Sequence, residues 1–74
     1  MIRSKDVPPG VYAFSSDGIE VGKVVQLLDG EVVIQSEDET VRLPDRDLAD
    51  ITTGRLELNI DAEQFALRPH HATS

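Results

Sequence analysis

The chain has 74 residues, with 14 Asp and Glu against seven Lys and Arg, and it contains no cysteine and no tryptophan. This length predicts one domain with a small core, unsupported by disulfides or a cysteine-based zinc site. The net charge of −7, the scattered cations and the scarcity of aromatic residues argue against direct nucleic-acid binding. No apolar run approaches the roughly 20 residues of a membrane span, and the N-terminus lacks a signal-peptide core, so we expect a cytoplasmic protein without membrane insertion.

The first half of the chain predicts three strands joined by tight turns. Residues 1–10 contain Pro8, Pro9 and Gly10 and predict a loose lead-in. The β-branched content of the segments that follow favours strands, which we expect at residues 11–14, 19–28 and 31–36. Ser-Ser-Asp-Gly at 15–18 predicts a turn, and Asp-Gly at 29–30 predicts a type I′ hairpin, which needs positive φ twice. Gly22 inside a strand predicts a bulge or a close backbone approach.

The second half predicts three shorter strands and a C-terminal helix. Strands are expected at residues 40–43, 49–52 and 55–60, and the last of these alternates apolar and polar residues strictly. Pro44 lacks an N–H and ends its strand, and the Asp-rich segment after it suits a helical or 3₁₀ turn at 44–48. Asp61 is expected to cap a short helix, with Gln64 completing a capping box.

These elements predict a mainly all-β fold, namely a small antiparallel β-barrel of five to six short strands with a short C-terminal helix. It forms a single domain over residues 1–74, with flexible ends at 1–6 and 68–74. Residues 24–28, Val-Val-Gln-Leu-Leu, are apolar on both faces, so either Val24 or Leu28 is partly exposed, or another segment or molecule covers the second face. The predicted core comprises Val11, Val21, Val25, Leu27, Val32, Ile34, Val41, Leu43, Leu48, Ile51, Leu56, Leu58 and Ile60.

The acidic segment from Glu37 to Asp50 carries the oxygen ligands that a divalent cation prefers. It lacks the glycine and the bidentate glutamate of a calcium loop, however. Capping of the 44–48 turn by Asp45 or Asp47 explains these acids without a metal. The segment therefore predicts a solvated polar surface, and we expect no metal site.

His70 and His71 lie beyond Pro69 in the polar tail, where metal ligation and proton transfer lack a fixed geometry. Ser15 and Ser16 belong to a turn and have no histidine in the folded part of the chain to activate them. A barrel of this size fills its interior with side chains and leaves no cleft for acid–base chemistry. We therefore expect no enzyme activity and no cofactor.

The order of these signals resembles the PRC-barrel superfamily over about residues 7–66. The closest likeness is to small, free-standing bacterial proteins of that superfamily with no assigned function. Such proteins often carry histidines before the Leu-Pro position and a tryptophan after it, and this chain has neither. The resemblance implies a module that docks on other proteins. It rests on Ser16-Asp17-Gly18, on Val21, Gly22 and Val24, on Leu43-Pro44, on Gly54, Leu56 and Leu58, and on Ala62-Glu63.

The favoured function is a non-catalytic protein-interaction or adaptor module of PRC-barrel type, whose protein partner the sequence does not name. A homodimer is also open, because of the surplus apolar face. One alternative is a ribosome- or RNA-processing-associated accessory factor that acts through protein contacts. Another is a small-ligand or divalent-metal binder that uses the acidic segment from 37 to 50. The expected contact residues are Val24, Leu28 and Val33, with Arg42 and Arg55 at the rim.

Overall fold

A computed structural model describes residues 2–72 of the chain. The strands in this part of the chain are β1 (Tyr12–Phe14), β2 (Glu20–Leu28), β3 (Glu31–Ser36), β4 (Glu39–Pro44), β5 (Leu48–Thr52), β6 (Arg55–Leu58) and β7 (His70–Ala72). These seven strands form one sheet in the order β5-β6-β1-β2-β3-β4-β7. Within the described residues one α-helix, α1, covers Ala62–Leu67, and 3₁₀ turns cover Ser4–Asp6 and Asp45–Asp47.

The mainly β architecture with one short C-terminal helix is confirmed, as are all six strands that the sequence predicts. The antiparallel prediction holds for every pair except one, because β1 lies between antiparallel β2 and parallel β6. A seventh strand was not expected: β7 arises from the tail and pairs with β4. The last two tail residues, 73 and 74, lie outside the described residues, as does residue 1.

The prediction of a closed barrel is wrong, because the sheet is not closed. β5 and β7 are its two edges. The outer edge of β4 pairs with β7, so β5 has no free edge of β4 with which to complete a cylinder. Side chains span this seam instead. Arg68, just before β7, donates from Nε and Nη2 to the two carboxylate oxygens of Asp47, just before β5, at 3.0 and 3.2 Å.

The hairpin between β2 and β3 is confirmed, but its turn is not of type I′. Only Gly30 has positive φ, at 80°, whereas Asp29 does not. Leu28 pairs with Glu31 across the two-residue loop. One left-handed residue is therefore sufficient here, and the glycine supplies it at no steric cost.

Two bulges in β2 determine which of its side chains face the core. Ala13 pairs with Gly22 and Phe14 with Glu20, which leaves Val21 as an extra residue. Val24 pairs with Ile34 and Gln26 with Val33, which leaves Val25 as a second extra residue. A bulge shifts the inside–outside alternation by one position. The inward residue is therefore Val24, which is 1% exposed, and Val25 is 49% exposed, so the prediction that Val25 lies in the core is wrong.

Gly22 confirms both features expected of it, since it adjoins the first bulge and allows a close backbone approach. A Cβ at this position would lie 2.4 Å from the carbonyl oxygen of Gln35 and 2.6 Å from Cγ2 of Ile34. Only a residue without a side chain lets β2 and β3 pack at this distance.

The remainder of the predicted core is confirmed, in whole or in part. Val11, Val21, Leu27 and Ile51 are partly buried against the central cluster. Val7, Ala13, Val24 and Phe65 belong to that cluster although the predicted core does not include them. The fully confirmed members are Val32, Ile34, Val41, Leu43, Leu48, Leu56, Leu58 and Ile60.

Near both termini, described residues contact the sheet: Ser4–Asp6 form a 3₁₀ turn, and His70–Ala72 pair with β4. Ser4 is 3% exposed; its backbone N–H donates to Asp45 Oδ1 and its hydroxyl donates to the carbonyl of Leu28, both at 2.9 Å.

The capping box predicted at the start of α1 is confirmed. Asp61 Oδ1 accepts from the backbone N–H of Gln64 at 2.7 Å, and the Gln64 side chain accepts from the backbone of Asp61.

Candidate functional site

The outer face of the sheet carries two aromatic residues on one strand. Ala13 is fully buried, so its neighbours Tyr12 and Phe14 project from the opposite face of β1. Tyr12 is 47% exposed and Phe14 is half-buried. A small residue between two aromatic residues is the sequence signal for this arrangement, and the sequence reasoning missed it because it considered each aromatic residue alone.

Cationic side chains lie over both rings. The guanidinium carbon of Arg55 is 3.7 Å from the centre of the Phe14 ring, and Lys23 Nζ is 5.8 Å from the centre of the Tyr12 ring. The register places Tyr12 between Arg55 of β6 and Lys23 of β2, and the Arg55 side chain reaches diagonally to the ring of Phe14. Each contact is worth about 0.5–1 kcal/mol at an exposed site. Both also hold a long, flexible cation in place.

The third cation on this face is Arg42. On the next cross-strand row, Gln26, Val33 and Arg42 are paired across β2, β3 and β4. Val32 and Ile34 are in the core, so Val33 points outward, yet it is only 8% exposed because neighbouring side chains cover it. We call the set Tyr12, Phe14, Lys23, Arg42 and Arg55 the cation–aromatic face.

The cations of this face are not neutralised within the fold. In the part of the chain that the structure describes, Arg68 with Asp47 is the one ion pair. The rows that carry Arg55, Lys23 and Arg42 contain no acidic residue on β1, β2, β3 or β4. Glu57 and Glu20 flank Phe14 on the adjacent row. These rows form a band with three cations and no acid of its own, and Glu20 and Glu37 line the same hollow as Lys23 and Tyr12 at its border.

The five residues predicted as contacts occupy different environments. Arg42 and Arg55 are exposed on the outer face, and Val33 is on that face but buried beneath its neighbours. Leu28 is half-buried at the end of β2. Val24 lies in the core and offers no surface to a partner, because the bulge at Val25 turns it inward. Val33, Arg42 and Arg55 thus share one face of the sheet, with Arg42 and Arg55 four strands apart, and Val24 lies on the other face.

The acids of the 45–50 segment are engaged in holding the fold. Asp45 accepts from the backbone of Ser4, and Asp50 accepts from the N–H of Ile51 at 2.8 Å. Asp47 is 4% exposed and binds Arg68 through two hydrogen bonds. This pairing raises the pKa of Arg68, first through the hydrogen bond and then through the charge of Asp47. Among the described residues, no group of three or more His, Cys, Asp or Glu side chains is arranged to hold a metal ion.

The Ser15–Gly18 turn connects the start of β2 to the helix. The hydroxyl of Ser15, which is 3% exposed, donates to Asp17 Oδ1, and the same carboxylate accepts from the N–H of Ala62 at 3.3 Å. The Ser15 hydrogen bond lowers the pKa of Asp17, partly opposed by desolvation, and the backbone N–H groups of Asp17 and Ala62 lower it further. The turn acts as a second cap for α1, so its serines have a structural role.

A concavity of about 530 Å³ lies between the N-terminal 3₁₀ turn and the β2–β3 hairpin. Its lining combines the cations Arg3 and Lys5 with Asp29 and Asp45 around the apolar stem of Leu28. Asp45 is already bonded to Ser4. This mixture of opposite charges presents no convergent set of donors or acceptors toward one ligand.

His70 lies in β7 and is fixed by two contacts. Its Nδ1 is 2.5 Å from the carbonyl oxygen of Arg68, and its ring packs edge-on against Phe65 with the ring centres 5.7 Å apart. His71 is the next residue of the same strand, opposite Thr40 in the register. The edge strand accounts for the position of His70 without a ligand.

Comparison with known proteins adds no assignment. The chain matches no family model, and no curated protein and no solved structure is significantly similar to it. In the described residues no helix has both the length and the apolar character needed to cross a bilayer. The resemblance to PRC barrels therefore stays a prediction, and the function has to be argued from the geometry of the chain itself.

Proposed function

We propose that the chain is a non-catalytic protein-interaction module that binds its partner through the cation–aromatic face. The observation that supports this most directly is the placement of Arg55 and Lys23 over Phe14 and Tyr12 on one face of the sheet, in a cross-strand row that contains no carboxylate on β6, β1, β2 or β3. A binding surface gains three cations that are free to pair with a partner.

The composition of the face agrees with this role. Interfaces are enriched in tyrosine and arginine. Tyrosine supplies a large contact area with few rotatable bonds, and arginine supplies several directed hydrogen bonds. Tyr12 is 47% exposed at the centre of the band, and Val25, at 49%, adds an exposed apolar group on β2. The resemblance to PRC barrels, which dock on other proteins, leads independently to the same proposal.

The acidic segment offers less as a binding site. Asp45 and Asp47 are committed to Ser4 and Arg68. A cation or small ligand at Asp45 or Asp47 would have to displace contacts that hold the N-terminal turn and the sheet seam. The exposed Glu37 and Glu39 belong to no group of described residues that could hold a metal ion. We therefore favour the cation–aromatic face over the metal-binding alternative.

Site-specific photo-crosslinking tests the proposal. A benzophenone amino acid replaces Tyr12 in one variant and Thr53, in the exposed turn after β5, in a control variant. After irradiation in a lysate of the source organism, the variant labelled at position 12 should give a discrete crosslinked protein that the variant at position 53 does not. Equal or absent crosslinking at both positions would contradict the proposal.

A further inference from the structure

The charge pattern of the face restricts the chemistry of its partner. We infer that the cation–aromatic face binds an extended acidic segment of a protein, with carboxylates spaced to meet Arg55, Lys23 and Arg42. This inference rests on the proposed function and adds to it the class of ligand. The juxtaposition that carries it is a tyrosine flanked in its own cross-strand row by two unpaired cations.

The spacing of the cations comes from the sheet. Arg55 and Lys23 lie on β6 and β2, one strand to either side of Tyr12. Neighbouring strands are about 4.8 Å apart, so the two cations are about 10 Å apart at the backbone. An extended polyproline II chain advances about 3.1 Å per residue and returns to the same face every third residue. Carboxylates at every third position therefore match the row, with the intervening chain over Tyr12.

The guanidinium of Arg55 is already oriented for such a contact. Its guanidinium carbon lies 3.7 Å from the centre of the Phe14 ring, a contact that restrains the long side chain on this face. An arginine held in this way loses less side-chain entropy when a carboxylate binds to it. Lys23, over Tyr12, supplies the second charge as a more mobile ammonium group.

A nucleic acid fits this face less well than an acidic peptide. Base stacking needs exposed aromatic faces, and the face of Phe14 is covered by Arg55. Glu20 and Glu57 border the band on the Phe14 row, where a continuous phosphate backbone would meet them. The net charge of −7 repels any polyanion at long range. A short segment with a few discrete carboxylates can bind between these acids.

A second copy of the chain is a weaker candidate for the same reason. Two copies repel each other through their net charge. The acids of the 45–50 segment are bonded within each copy. The acids that a second copy would offer to the face are therefore the exposed Glu37 and Glu39 at the turn between β3 and β4. Self-association remains one outcome of the test.

The test is a titration of the isotope-labelled full chain with four ligands, in which binding is measured from the amide chemical shifts and from the fluorescence of Tyr12. The probe is a peptide of about twelve residues with glutamate at every third position and proline and alanine between. A second peptide has the same composition with the glutamates consecutive, and a third has glutamine in place of glutamate. A single-stranded oligonucleotide of the same charge is the fourth ligand.

Two matched variants locate the binding. In the face variant, Lys23→Gln, Arg42→Gln and Arg55→Gln remove three charges. In the control variant, Arg3→Gln, Lys5→Gln and Arg46→Gln remove the same number and kind of exposed cations from other surfaces. Thermal melts of both variants verify that each is folded before binding is compared.

The spaced glutamate peptide should shift amides of β1, β2 and β6. The face variant should bind it at least tenfold more weakly, and the control variant should bind it as the wild type does. The glutamine peptide should not bind, and the consecutive peptide should bind more weakly than the spaced one. Raised salt should weaken the interaction, because exposed charges are screened beyond about 10 Å at 0.1 M.

Several outcomes would overturn the inference. These are equal binding of the glutamate and glutamine peptides, an equal loss in the two variants, tighter binding of the oligonucleotide, or face-dependent self-association alone. If the peptides fail while crosslinking from position 12 still captures a protein, the inference on acidic chemistry falls and the interaction module stands. If both fail, the proposed function falls with it.

Discussion

The two faces of the sheet use similar residue types in opposite ways. On the inner face, Val24, Ile34 and Val41 interlock, and Gly22 lets β2 approach β3 without a side chain between them. On the outer face, exposed Val25 and Tyr12 lie among cations that no carboxylate neutralises within the described residues. The inner face maintains the fold, and the outer face is the surface that we propose binds a partner. Substitutions on the two faces should therefore affect different measurements.

The largest effect is expected from Gly22→Ala on the inner face. A methyl group there would meet the Gln35 carbonyl at 2.4 Å, and backbone atoms cannot move aside as the end of a side chain can. We expect a loss of about 3 kcal/mol in the free energy of unfolding, at the upper end for overpacking. Gly54→Ala is the control. The φ of Gly54 is 73° and no atom lies within 4 Å of a Cβ added there, so only the backbone strain of alanine at positive φ should lower the free energy of unfolding, by about 1 kcal/mol. Urea unfolding of both variants measures the difference, and equal losses would contradict the close approach.

The seam should be nearly as sensitive. Arg68→Ala leaves the Asp47 carboxylate, whose side chain is 6% exposed, without its partner, at a cost of about 2–3 kcal/mol. Asp47→Asn should cost less, about 1 kcal/mol, because the Arg68 side chain is 32% exposed and can turn into water. Thermal unfolding compares the two, and the reverse order would show that the pair does not link the sheet edges as described.

The bulge at Val25 gives a pair of nearly isosteric substitutions. Val24→Thr buries a hydroxyl group in the core and should cost about 1–2 kcal/mol. Val25→Thr places the hydroxyl in water, and a change below about 0.5 kcal/mol is expected. Denaturant midpoints distinguish the two variants. If Val25→Thr proved the more damaging, the register of β2 would be wrong.

The outer face should tolerate loss of its charges. The face variant loses the contacts of Arg55 with Phe14 and of Lys23 with Tyr12, so we expect a cost of about 1–2 kcal/mol. The control variant should be unchanged within about 0.5 kcal/mol. Melting curves test this, and a collapse of the face variant would assign these cations to the fold instead of to binding.

The smallest effect concerns acid sensitivity at the Ser15–Gly18 turn. The pKa of Asp17 is lowered in the folded chain, so its ionised form stabilises the fold. That contribution is complete above the unfolded value of about 3.9 and is lost as the pH falls through the lower folded pKa. Asp17→Asn should therefore lose less stability than the wild type on acidification below about pH 4. Parallel acid titration curves for the two proteins would contradict the pairing with Ser15.

Local chemistry made much of the fold predictable. The six strands, the 3₁₀ turn after Pro44 and the capping box at Asp61 each follow from a few adjacent residues. The bulges in β2 do not follow from adjacent residues, because the pairing with the partner strand determines where a bulge forms. The bulge at Val25 places Val24 in the core and Val25 at the surface, the reverse of the prediction for Val25. The open seam also escaped prediction. It depends on whether β4 pairs with β5 or with the distant β7, a long-range choice that no local pattern determines.

The cation–aromatic face was predictable only in part. Arg42 and Arg55 were expected at a rim, and their charge and strand position suffice for that. Tyr12 and Lys23 were not, because their proximity to Arg55 depends on β1 lying between β2 and β6, and β6 is distant in sequence and parallel to β1. A cluster assembled across strands becomes visible only when the register is known.

The most direct test of the whole account is a comparison of captured proteins. Wild type, face variant and control variant are immobilised at equal density and exposed to nuclease-treated lysate, and the bound proteins are quantified by mass spectrometry. If the outer face binds the partner, wild type and the control variant should retain one protein equally, and the face variant should lose it. All three should melt as folded proteins. Retention by the face variant, or an equal loss from the control variant, would contradict the assignment of binding to the outer face.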